Sequence, residues 1–197
     1  MALRDQVMAL DITLPSREEL PEDLAKYFSV CDKKLGMVPN VLAAYSHDAE
    51  QLRTFSRFYN AIMFGEGGLS SLEREMIAVV VSSQNHCFYC LTAHGAAVRE
   101  YSGDPALGEL MVMNYRAAEL SPRHRAMLDF AAKLTNHPSE IDEPDRQALR
   151  DVGFSEKDIW DIANVAAFYN MTNRVAAAVD MQPNKEYHAK HRGTPAG

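Results

Sequence analysis

The stretch Glu75-Met76-Ile77-Ala78-Val79-Val80-Val81-Ser82-Ser83-Gln84-Asn85-His86-Cys87-Phe88-Tyr89-Cys90-Leu91-Thr92-Ala93-His94 decides the fold through its apolar half. Three consecutive valines suit a buried strand as well as a buried helix, because periodicity does not separate the two over a short run. Two features favour the helix. Ser70-Ser71-Leu72-Glu73, just upstream, has the form of a capping box, with Glu73 three residues after Ser70. No other run in the chain has strand character, so a strand here would lack a partner. The segment is apolar on every side from Met76 to Val81, which marks a buried helix and not a surface one. Glu75 at its edge is either a solvated first-turn residue or a partly buried carboxylate with a role. The fold class read from this is all-α.

The polar interruption Ser82 to His86 separates that helix from a second one carrying Cys87, Cys90 and His94. Residues three and four apart are neighbours on a helix surface, roughly 5–6 Å between Cβ atoms. Both sulfurs and the imidazole therefore fall on one stripe. The separation is a little wide for a disulfide, but a first helical turn can close it. Ser83 or Asn85 is the expected cap, and the positive end of the helix dipole would favour a thiolate there. In a reducing compartment such a pair is more often catalytic or metal-binding than structural. Redox chemistry is the preferred reading. A zinc site is the alternative, with His86, Glu75 or Cys31 as fourth ligand, although zinc sites of this kind normally draw a second ligand pair from elsewhere.

Working outward, Ser16 and Glu19 pair as a capping box, and Pro21 starts a helix to about Lys34 that Gly36 ends. Cys31 in that helix, beside Leu24, Tyr27, Phe28 and Leu35, reads as a small buried hydrophobe. Pro39 opens another helix, and Leu52, Phe55, Phe58, Tyr59 and Met63 keep helical spacing from Asp48 to about Phe64. The cysteine helix reaches about Tyr101. Further helices are expected from Pro105 through Tyr115, from Pro122 through Leu134, and from Asp142 to Val152. The last runs from the Ser155 cap to about Val179, with a polar tail from Pro183. Leu69-Ser70 and Leu120-Ser121 open segments with matching Arg and Met positions, a faint echo of two related helical halves. Met111, Met113, Met127 and Met171 read as core filler. His47, His124, His137, His188 and His191 read as surface residues; Asn164, Asn173 and Arg174 either face the site or tie subunits together, with the second preferred.

A chain of 197 residues with 47% hydrophobic content can bury a core as one domain, 1–197, with the redox motif in 69–101. A formal net charge of −7 disfavours nucleic acid as a partner. No apolar run approaches a membrane span, and the first twenty residues lack the apolar core of a signal peptide. A cytoplasmic protein that meets neither membrane nor nucleic acid is expected.

Glu75, the eleven-residue gap, Cys87-Phe88-Tyr89-Cys90 and His94 resemble the signature of the alkylhydroperoxidase D-like family, within the carboxymuconolactone decarboxylase superfamily. The similarity is closest to the peroxidase-related branch and covers nearly the whole chain. It includes Leu35-Gly36-Met37-Val38-Pro39-Asn40, Leu120-Ser121 to Arg125, and Phe168 to Arg174 with Pro183-Asn184. The resemblance implies an all-helical fold assembled as homotrimers or hexamers, and peroxidase or disulfide reductase chemistry with neither metal nor haem nor other cofactor. It matches Cys90 to the attacking cysteine, Cys87 to its disulfide partner, and His94 and Glu75 to proton-relay positions. The decarboxylase branch lacks the cysteine pair, so its chemistry does not carry over. A free thiol with a pKa of ~8.5 is only slightly ionised at neutral pH, so a base beside Cys90 matters. Attack on a peroxide leaves a sulfenic acid, which the second thiol condenses to a disulfide. A lipoylated or thioredoxin-like dithiol would reset it. Tyr89, between the cysteines, reads first as a packed aromatic.

Overall fold

A computed structural model describes residues 6–193. The apolar run is helical. Helix α4, Ser71–Gln84, starts where the Ser70 hydroxyl accepts the Glu73 N–H, and Glu73 returns the bond by accepting the Ser70 N–H at 2.8 Å. Every side chain of α4 from Glu73 to Ser82 is buried. Burial on all sides demands neighbours on all sides, and α4 has them in α5 (Phe88–Ser102), α6 (Pro105–Asn114), α7 (Pro122–Asn136) and α9 (Glu156–Ala178). Each fully buried valine, isoleucine or methionine contributes about 1.5–3 kcal/mol relative to exposure. The helix also satisfies its own backbone groups, which a lone buried strand would leave unpaired.

The remaining helices are α1 (Glu22–Leu35), α2 (Asn40–Tyr45), α3 (Ala49–Phe64) and α8 (Glu143–Asp151). No strand occurs among the described residues. Gly36 ends α1 in the left-handed region (φ 73°), which only glycine enters freely. Asp48 caps α3 by accepting from Glu50 and Gln51 N–H. The echo between halves takes the form of two serine-capped helices, α4 and α7, packed on one another.

Several expectations need correction. The cap of α5 is Cys87 itself, and not Ser83 or Asn85; Asn85 instead closes α4. The Cys87 N–H donates to the Ser82 carbonyl, so the chain turns through His86 at φ 52° and leaves no room for a polar cap. Met111 and Met127 are core, but Met113 is 78% exposed and Met171 46%. The tail does not leave the surface. Met181, Gln182 and Pro183 are buried, and Arg99 on α5 donates to the carbonyls of Tyr187 and Lys190. His188 is half-buried against Phe88, with ring centroids 5.9 Å apart.

Candidate active site

Helix α5 begins at the sulfur pair. Cys87 and Cys90 are both free thiols, each 3% exposed, and the first turn of α5 carries them together. One proton is shared between them. The Cys90 thiol beside Cys87 holds its pKa down to about 7 against the cost of burial, helped by backbone N–H groups of the first turn and by the imidazole of His94. The same contact with Cys87, together with burial, pushes Cys90 well up. The first ionisation of the pair therefore falls near neutral pH, on Cys87. The side chains of Asn173 and Thr172, close to the Cys90 sulfur, oppose the rise at Cys90.

His94, one turn along α5, meets Glu75 from α4 at 2.7 Å between Nδ1 and Oε2. A carboxylate only accepts, so Nδ1 carries the hydrogen and Nε2 is left to exchange a proton. Glu75 is 4% exposed, so of the two readings of this residue the buried one holds. Tyr169 from α9 packs edge-on to the imidazole, centroids 4.7 Å apart, with its hydroxyl 3.5 Å from Nδ1. Burial raises this phenol well above its ordinary value, so it stays neutral.

Behind the sulfurs runs an ordered amide chain. The Ser82 hydroxyl donates to the Ala78 carbonyl, and the Asn173 amide donates to the Ser82 oxygen at 3.0 Å. Asn85 donates to the amide oxygens of both Asn173 and Asn170 at 3.0 Å. These partners fix which end of the Asn173 amide is nitrogen, and the same side chain holds the Cys90 pKa down. Asn173 is 1% exposed, so it serves the site and not a subunit boundary. Asn164 and Arg174 bond along their own helix, to Trp160 and Asn170. Tyr89 is structural: its hydroxyl accepts the Val41 N–H at 2.9 Å.

A cavity of about 620 Å³ reaches Cys90, His94 and Glu75. Cys90 lines it and Cys87 does not; Cys87 lies among Met8, Ala44 and Met181, in the second apolar cluster. Four predicted residues therefore converge, with Cys90 foremost. Sequence reasoning missed Tyr169 and put the site-facing reading of Asn173 second. The signal was present in α9, where Val165, Tyr169, Thr172 and Ala176 follow helical spacing on the buried face. Cys31 also lines the cavity, and burial raises its pKa. Among the described residues no three His, Cys, Asp or Glu side chains are grouped so as to hold one metal ion.

The carboxymuconolactone decarboxylase family model matches residues 49–106. No curated protein matches the chain. Among solved structures, an uncharacterized peroxidase-related protein from Silicibacter sp. TM1040 shares 59% identity, with a TM-score of 0.93 over 98% of this chain and 100% of that one. A second, from Ralstonia eutropha JMP134 and described as an alkylhydroperoxidase AhpD core, shares 38% identity, with a TM-score of 0.92 over 97% and 100%. The debrominase Bmp8 in complex with 2,3,4-tribromopyrrole shares the fold at 20% identity, with a TM-score of 0.79 over 93% and 97%. The chain thus belongs to the alkylhydroperoxidase D-like family of the carboxymuconolactone decarboxylase superfamily.

Proposed function

We propose that this protein is a thiol peroxidase that reduces hydroperoxides with the Cys87–Cys90 pair and is reset by an external dithiol. The observation that carries the reading is the placement of Cys90 on the cavity, next to the His94–Glu75 pair, with Cys87 directly behind it. Transfer of the shared proton from Cys90 to Cys87 frees the Cys90 thiolate, which the Asn173 and Thr172 side chains stabilise. The thiolate attacks the terminal peroxide oxygen; the O–O bond breaks, and the departing alkoxide takes a proton from His94 to leave as alcohol. Cys90 is then a sulfenic acid. Cys87, now a thiol, displaces the hydroxyl of Cys90 and gives it the proton taken up in the first step, so water leaves and the disulfide is complete. Glu75 holds the imidazole in one tautomer throughout.

Both sulfurs are almost fully buried, so a partner must arrive through the cavity. That favours a slender dithiol, such as a lipoyl arm, over a broad thioredoxin-like surface or a protein disulfide. Residues Trp160, Ala167, Met171, Val175 and Ala178 form an exposed, mostly apolar stripe on α9, and it supports assembly of copies of this chain as a homo-oligomer.

The test is hydroperoxide consumption with a small dithiol. Wild type is expected to turn over, Cys90→Ser to be inactive, and Cys87→Ser to give one turnover and stop as a trappable sulfenic acid. Turnover surviving in Cys90→Ser would overturn the assignment.

A further inference from the structure

The cavity that ends at Cys90 has a floor and a mouth of different chemistry. Glu75, Cys90, His94 and Tyr169 lie at the buried floor. Phe55, Tyr59 and Phe168 wall the middle, with Phe55–Phe168 and Tyr59–Phe168 centroids 5.3 and 6.1 Å apart. At the mouth, Val30, Leu35, Phe64 and Tyr101 are 40, 38, 60 and 46% exposed and extend the apolar wall into solvent.

The mouth also carries charge. Lys34, Lys190 and His191 line it against one carboxylate, Glu100, which lies 3.5 Å from His191. Lys190 donates to the Leu35 carbonyl and pins the tail across the opening. Lys34 is exposed, and none of the ion pairs among the described residues includes it. A cation left unpaired at the lip of an aromatic chamber matches an amphipathic anion, with its apolar part inside and its head in water.

Size points the same way. A hydroperoxide group occupies a small fraction of about 620 Å³, a volume typical of sites for drug-sized ligands. Hydrogen peroxide would leave the apolar walls facing trapped water, whereas a bulky carbon skeleton would displace it. Resting on the peroxidase reading, we propose that the cavity binds the hydroperoxide of a bulky, amphipathic carboxylic acid. Its skeleton lies along the aromatic walls, its peroxide oxygens reach Cys90, and its carboxylate stays beside Lys34 and Lys190. Turnover then converts the hydroperoxy acid to the hydroxy acid and water, at the expense of two hydrogens from the external dithiol.

Two measurements test this together. The first compares kcat/KM for hydrogen peroxide, tert-butyl hydroperoxide, a long-chain fatty-acid hydroperoxide and its methyl ester, in wild type and Lys34→Glu. The acid is expected to exceed hydrogen peroxide by about 100-fold through burial of its skeleton. It should exceed its ester by about threefold, a partly screened charge contact, with the preference lost in Lys34→Glu. The second is calorimetric binding of the corresponding hydroxy acid to reduced protein, which needs no turnover. Micromolar binding weakened by Lys34→Glu is expected. If small hydroperoxides match the acid and the hydroxy acid does not bind, the inference fails while the peroxidase reading stands. If no hydroperoxide is consumed, the peroxidase reading fails and the binding arm alone decides the cavity's ligand. Equal behaviour of acid and ester in both proteins overturns the role given to Lys34.

Discussion

Two thiols packed in one helical turn cannot both ionise near neutrality, and the pair here divides into one thiolate and one protected thiol. Raising the pH through about 7 should reveal one thiolate per chain by ultraviolet absorbance, and alkylation should speed up over the same range. The second ionisation should come only well above 9. Below about 6 the pair is fully protonated, and peroxide reduction should fall with it. Asn173→Asp places a carboxylate beside the Cys90 sulfur and should move the activity profile to higher pH by about one pH unit. His94→Gln removes the proton donor and should lower kcat/KM by about 100-fold with the fold intact. Cys87, Cys90, His94 and Glu75 were legible because spacing alone puts them on facing stripes. Asn173 was not, since an asparagine in an apolar helix reads the same whether it faces a sulfur or a neighbouring subunit. Only the Ser82 and Asn85 partners, 91 and 88 positions away, distinguish the two.

At the scale of elements, helix boundaries followed from local chemistry: Ser70, Asp104, Ser121 and Ser155 each cap a helix by accepting a backbone N–H. The start of α5 did not, because it is set by how α4 ends. Helices α5 and α6 touch backbone to backbone at Gly95 and Gly108. A Cβ on Gly108 would lie 2.5 Å from Arg99 Cγ and 3.2 Å from the Gly95 carbonyl. Gly108→Ala should therefore cost about 1–3 kcal/mol, read as a lowered denaturant midpoint with unchanged slope. Arg99, 4% exposed, ties α5 to the tail through two carbonyls. Arg99→Ala should free the segment around Tyr187 and Lys190 to proteolysis and raise KM, because those residues line the cavity.

At the scale of the whole molecule, the all-α class was legible from one capped valine run and the absence of any pairing strand. The cavity was not, because its walls come from α1, α2, α3, α4, α5, α9 and the tail, which only tertiary packing brings together. The tail was read as polar from its lysines and histidines, yet Tyr187 and Lys190 close over the site. Trp160, 67% exposed at the head of the α9 stripe, belongs to a different face from the cavity lining. Trp160→Glu should shift the protein toward smaller species in sedimentation while each chain keeps its helicity.

The central claim is that each hydroperoxide reduced leaves one Cys87–Cys90 disulfide. Mixing fully reduced protein with a single equivalent of organic hydroperoxide, without dithiol, and following products by intact and peptide mass spectrometry tests it directly. One alcohol per chain, loss of two hydrogens, and a peptide linking Cys87 to Cys90 with Cys31 still free is the predicted result. Unchanged hydroperoxide, or alcohol formed with both thiols still reduced, would contradict it.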